Sequence, residues 1–161
     1  MKIIIVYDSA FGNTEKIVHA ISDSLGSHEN IKTFRASDIN PGQLVGLDLL
    51  IVGSPTRAFR PTTDIIGFLN GIPSSSLKGI KVAAFDTRYS VANAKVLFSN
   101  IFSRQFGYAA ESIADKLVNR GGNLIVPPIG FIIKTAGGTL KAGELERAAE
   151  WAKSIMNLIH V

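Results

Sequence analysis

Short apolar runs that alternate with helical patterns constrain this chain more than any other feature. Residues 2–7 (KIIIVY), 47–54 (LDLLIVGS) and 80–86 (IKVAAFD) are apolar almost without interruption. Residues 31–36 (IKTFRA) and part of 123–133 also suit strands. A strand without polar alternation must be covered on both faces, which is the situation of a parallel sheet between two layers of helix. The intervening segments supply those helices. Ile17, Val18, Ile21 and Leu25 recur at helical spacing ahead of Gly26, and Ile65, Phe68 and Leu69 follow the opening Pro61-Thr62-Thr63-Asp64. Ala110, Ile113, Ala114 and Leu117 precede Gly121-Gly122, and Leu145, Ala148, Ala152, Ile155 and Ile159 stripe the last segment. A short helix or turn is expected around Pro41 to Val45. The pattern predicts a doubly wound α/β fold with a five-stranded parallel sheet, order 2-1-3-4-5, in one domain over residues 1–161.

One connection is too long for this scheme. The fourth strand is expected to end near Asp86 and the next clear helix to begin near Tyr108, whereas connections usually run about 4–6 residues. Within the gap, Ala94, Leu97, Phe98, Ile101 and Phe102 follow amphipathic helical spacing. Such a helix either packs on its own domain or serves as a lid or oligomer contact.

Composition removes several classes of chemistry. With no cysteine, disulfides, thiol catalysis and cysteine-held metal or iron–sulfur centres are excluded within the chain. His19, His28 and His160 are scattered without metal-ligand spacing. Redox chemistry here must therefore belong to a bound organic cofactor, and no metal or catalytic side chain is assigned. The net charge of +4 favours anionic partners, but zinc-finger spacing, RNA-binding aromatic signatures and dense Lys/Arg runs are lacking, so nucleic acid is not expected. No apolar run approaches the length of a membrane span, and the apolar part of MKIIIVYD is too short for a signal-peptide core. A soluble, cytoplasmic protein is expected.

In a doubly wound sheet, ligands bind beyond the carboxyl ends of the strands, where the strand order reverses. That rule gathers three loops: residues 8–14, 54–62 and 86–92. The first, Ser9-Ala10-Phe11-Gly12-Asn13-Thr14, separates a strand from a helix. A helix N-terminus presents free N–H groups and positive dipole charge, so it can seat an anion. Gly12 permits a left-handed turn, and Ser9, Asn13 and Thr14 add side-chain donors. The alternative is a plain connection with Asn13 or Thr14 as N-cap. The second loop carries Pro55, Thr56, Arg57, Ala58, Phe59 and Arg60, and the third Asp86, Thr87, Arg88 and Tyr89. Phe11, Phe59 and Tyr89 give all three loops a flat side chain. A planar heterocycle bearing a phosphate suits that set. Phe59 serves equally as an anchor for the helix that follows, Tyr89 as a packing residue, and the arginines as solvated surface charges.

The stretch YDSAFGNTE resembles the phosphate loop of flavodoxins, and the similarity extends through LLIVGSPT, KVAAFDTR and GELERAAEWA. The resemblance covers nearly the whole chain. It implies non-covalent binding of FMN and electron transfer. Ser9 to Thr14 would hold the phosphate, and Pro55 to Phe59 with Asp86 to Tyr89 would flank the flavin ring. The chain departs from acidic carrier flavodoxins in being basic, in placing Ala10 and Phe11 where hydroxyls are common, and in lacking a tryptophan in the second loop. Pro55-Thr56-Arg57 is instead similar to the flavin loop of flavodoxin-like NAD(P)H:quinone oxidoreductases, which implies NAD(P)H, a quinone and a homo-oligomer as alternative partners. A third alternative is an interaction module without flavin. The electron carrier is the preferred reading, with redox partner proteins that present acidic faces.

Overall fold

The computed structural model describes residues 1–27, 30–89, 107–135 and 138–161. Its strands are β1 (Lys2–Tyr7), β2 (Asn30–Arg35), β3 (Leu49–Pro55), β4 (Lys81–Tyr89), β5 (Asn123–Leu124) and β6 (Ile129–Ile133). Its helices are α1 (Asn13–Ser24), α2 (Thr63–Gly71), α3 (Ala109–Asn119) and α4 (Glu144–Ile159), with 3-10 turns at Ala36–Asp38 and Pro41–Leu44. The amphipathic pattern at Ala94 to Phe102 lies outside the described residues.

The strands form one parallel sheet in the order β2-β1-β3-β4-β5, with β6 also on β4. Successive side chains leave opposite faces of a strand, so each apolar run fills two cores. Ile3, Ile5, Ile51, Ala83 and Phe85 pack with Ile17, Val18 and Ile21 of α1 and with Ala148, Trp151, Ala152 and Ile155 of α4. Ile4, Val6, Leu50, Val52, Val82 and Ala84 pack with Ile65, Phe68 and Leu69 of α2 and with Ile113, Ala114 and Leu117 of α3. Each fully buried Ile or Leu contributes about 1.5–3 kcal/mol. At Gly53 the absent side chain is functional in packing, because a Cβ there would run into the Phe85 ring.

Three details differ from expectation. The strand expected within 123–133 is two pieces. Between Val82 and Phe85 β4 advances three residues, while its partner advances five from Leu124 to Ile129. The surplus falls at Ile125-Val126-Pro127-Pro128, where two prolines have no N–H to offer the ladder. In α4, Leu145 is exposed and the preceding Glu144 is buried instead. The Glu144 carboxylate accepts the Ile132 N–H at 2.6 Å and pairs with Arg147 at 2.7 Å, stapling the helix to β6. Finally, β4 does not stop near Asp86. Ser54 and Pro55 pair with Asp86 and Thr87, and β6 pairs through Tyr89, so Asp86 to Tyr89 are strand and not loop.

Candidate functional site

The longer β4 decides which side chains meet. Thr87 and Tyr89 face the α1 side, while Asp86 and Arg88 face α3. Thr87 and Tyr89 join Ser9, Ala10, Phe11, Asn13, Thr14, Pro55, Thr56, Arg57 and Ile133 around a cleft of about 230 Å³ at the carboxyl ends of the strands.

The loop after β1 forms the polar end of this cleft. Gly12, at φ +88°, takes the left-handed conformation and serves as N-cap, so α1 begins at Asn13. The Ser9 hydroxyl oxygen accepts the N–H of Gly12 at 3.1 Å and of Glu15 at 3.3 Å. The Asp8 carboxylate accepts the Ser9 N–H at 2.8 Å. Among the described residues the N–H groups of Ala10, Phe11, Asn13 and Thr14 have no acceptor. Four free N–H groups at the start of a helix suit a phosphate.

The side chains expected to add donors are largely engaged elsewhere. Asn13 donates its amide to the Gly138 carbonyl at 2.7 Å. Thr14 and Thr87 share a hydroxyl–hydroxyl bond of 2.8 Å. That bond uses one of their two protons, which leaves the other for a ligand. Both threonines are almost fully buried, so their position is set by packing as well as by this bond.

The second wall is a tight hairpin. Arg57 and Arg60 exchange N–H···O bonds of 2.8 and 2.9 Å, and Ala58 (φ +46°) and Phe59 (φ +65°) make the turn in the left-handed region. That conformation costs a non-glycine residue roughly 1–2 kcal/mol. Thr56 donates its N–H to the Thr87 carbonyl at 2.8 Å and accepts the Ala109 N–H on its hydroxyl at 3.2 Å. The turn carries Phe59 away from the cleft to Tyr108, 5.7 Å between ring centroids. Ala58 and Phe59, with Arg60, Pro61, Ile66, Ser112 and Lys116, line a different hollow of about 490 Å³. It is larger, but the converging N–H groups lie in the smaller cleft.

Behind the sheet, Asp86 is fully buried and accepts Nε and Nη2 of Arg88, both at 2.7 Å, as well as the Ala110 N–H at 2.9 Å. Arg88 stacks on Tyr108 at 3.7 Å. Burial raises the Asp86 pKa, and the Arg88 fork and the Ala110 N–H work against that rise. Asp86 and Arg88 thus anchor α3 and do not line the cleft.

Two contributors were not legible as site residues. Ile133 enters the cleft from β6. Arg35 braces the first loop, donating to the Ser9 carbonyl at 3.2 Å, lying 3.6 Å from the Asp8 carboxylate and covering the Tyr7 ring at 5.5 Å. Arg35 pairs with Tyr7 in the sheet, so the strand order with its register was the available signal.

A flavodoxin from the domain Archaea matches this structure with a TM-score of 0.77 at 20% identity, over 100% of both chains. A flavodoxin from Bacillus cereus gives 0.75 at 18% identity, over 100% of this chain and 99% of that one. A WrbA-like flavodoxin from Agrobacterium tumefaciens gives 0.71 at 16%, over 99% and 97%. The fold is flavodoxin-like. No protein-family model and no curated protein sequence matches the chain. The flavodoxin-like arrangement puts the cleft at the switch point between β1 and β3, where the sheet's strand order reverses. Among the described residues no helix is long and apolar enough to cross a membrane.

Proposed function

We propose that this flavodoxin-like chain binds FMN in the cleft and acts as an electron carrier between redox proteins. The observation that carries the reading is the set of four free N–H groups at Ala10, Phe11, Asn13 and Thr14, on residues that line the cleft together with Tyr89. The donor set fits a phosphate monoester: backbone N–H groups, one hydroxyl proton from the Thr14–Thr87 pair, and the N-terminal dipole of α1. Bound FMN would supply reversible uptake of one or two electrons.

The chain's own residues divide the work. Residues 9–14 bind the phosphate mainly through backbone, and Arg35 keeps their loop in shape. Pro55, Thr56 and Arg57 flank one side of the ring, and Phe11 and Tyr89 offer aromatic surface beside it. Thr56 is held from both sides, by Thr87 and by the first N–H of α3. The cleft volume lies below the roughly 300–1,000 Å³ of sites that enclose a whole ligand, which suits a ring with one edge in water and open to electron exchange.

The test is calorimetry of the flavin-free protein with FMN, FAD and riboflavin, beside the absorption spectrum of the protein as purified. FMN binding far tighter than FAD or riboflavin is expected. Equal affinity for riboflavin would remove the phosphate seat from the argument, and equal or tighter binding of FAD would contradict the single-phosphate reading. Anaerobic titration with NADPH then separates a carrier, which stays oxidised, from a reductase.

A further inference from the structure

The rim of the cleft is basic and aromatic, and we infer that it is a docking face for a protein with an acidic patch around an apolar centre. The inference rests on the electron-carrier reading and adds the partner's chemistry and the residues that meet it.

Phe11 lies 81% exposed at the cleft mouth, and Tyr89 is about half exposed on the opposite wall. Large aromatic side chains are normally withdrawn from water, and with arginine they are the residues that dominate interface energetics. The Arg57 guanidinium covers the Phe11 ring at 5.4 Å, which orients an exposed cation beside the apolar centre. Arg60 is exposed and bonded through its backbone to Arg57. On the other side, Lys134 follows Ile133 of the cleft wall, and Lys141 stands in the same hairpin. That hairpin is closed by Lys134 N–H to Thr139 carbonyl and by Lys141 N–H to Ile132 carbonyl, and Gly138 fastens it to Asn13. Both lysines are exposed.

Exposed Glu146 lines the same hollow as Lys141, so the positive charge rests on Arg57, Arg60 and Lys134. Among the described residues, 9–14, 55–63 and 129–135 contain no Asp or Glu. The carboxylates nearest the first loop, Asp8 and Glu15, are both engaged with Arg35. Asp86 is buried behind the sheet against Arg88. Uncompensated charge of one sign around a binding mouth steers oppositely charged partners and speeds their association, an effect that salt weakens. An apolar centre inside a charged rim is also the arrangement of a transient protein interface.

The experiment uses the whole protein with oxidised plant-type ferredoxin as acidic probe. Basic cytochrome c, a DNA duplex and NADPH are the comparison ligands. Association is followed by stopped flow across a salt series. The variants Arg60→Glu with Lys134→Glu, and Arg60→Gln with Lys134→Gln, change exposed side chains that do not line the cleft. Ferredoxin is expected to bind faster than cytochrome c at low salt and to slow as salt rises. The double charge reversal should slow association about tenfold and flatten the salt dependence, with the glutamine pair intermediate. FMN affinity and melting temperature should stay at wild-type values. Unchanged ferredoxin binding in the reversal variant would overturn the inference. So would tighter binding of DNA or NADPH that is lost in the same variant. Failure of FMN to bind, with the ferredoxin behaviour intact, would refute the cofactor and leave the docking face standing.

Discussion

Removing Arg88 strands a carboxylate inside the protein. Asp86 is fully buried, and its partners are two nitrogens of Arg88 and the Ala110 N–H. Arg88→Met keeps most of the side-chain volume but leaves the acid with a single hydrogen bond. Breaking a buried pair in this way costs about 3–5 kcal/mol. A domain of this size shifts its melting temperature by roughly 2–4 °C per kcal/mol, so a fall on the order of 10 °C is expected at neutral pH. The sign of the pH dependence follows from burial. The folded carboxyl already has a pKa raised above its ordinary 3.8, with desolvation the main cause and Arg88 opposing it, so loss of Arg88 raises it further. A folded pKa above the unfolded one contributes stability that is fully present below the unfolded value and lost as pH rises through the folded value. The gap between Arg88→Met and wild type should therefore be small near the acid end and widen as pH rises. Urea denaturation at several pH values measures it. Adding Asp86→Asn to Arg88→Met should recover much of the loss at neutral pH, because no charge is left stranded. A gap independent of pH, or a double variant weaker than the single one, would refute this account.

Three further outcomes are expected. Thr14→Val should weaken FMN binding about ten- to a hundredfold, in line with the roughly 1.5–3 kcal/mol of a hydrogen bond to a charged group. Thr14→Ser should retain affinity in the same calorimetric titration. Gly53→Ala should lower stability by about 1–3 kcal/mol, because Phe85 occupies the space its methyl would need, and thermal melting reads this directly. Arg57→Ala should make the second reduction potential of bound flavin more negative, on the order of tens of millivolts, in spectroelectrochemistry at fixed ionic strength, since Arg57 lines the cleft.

The doubly wound order was legible because apolar runs such as Leu49 to Val52 can be satisfied only between two helical layers. The free N–H groups at the start of α1 were legible because Gly12 sits just where a strand gives way to a helix. What escaped depends on register and chain direction. The hydrophobic pattern ends at Phe85, so nothing in it shows that polar Asp86 to Tyr89 continue the strand. That continuation comes from pairing with Ser54, Pro55 and the segment Ile129 to Ile133. Once it is a strand, its pleat sends Arg88 away from the cleft. Phe59 leaves the cleft for a similar reason, because two left-handed residues reverse the chain at Ala58 and Phe59. Arg35 reaches the first loop only through its pairing opposite Tyr7, a relation across 28 positions that no local motif contains.

The end of β4 also determines how mutations would sort in a population of variants. Thr87 and Tyr89 belong to the cleft, while Asp86 and Arg88 hold a helix on the other side. A saturation library over these four neighbours, sorted once for protein abundance and once for yellow colour, should show traits that switch with every step. Changes at 86 and 88 should deplete the protein itself. Changes at 89, and changes at buried 87 that keep its volume, should leave it abundant and pale. The spacing of the two phenotypes would then be a genetic measurement of the strand's two-residue repeat.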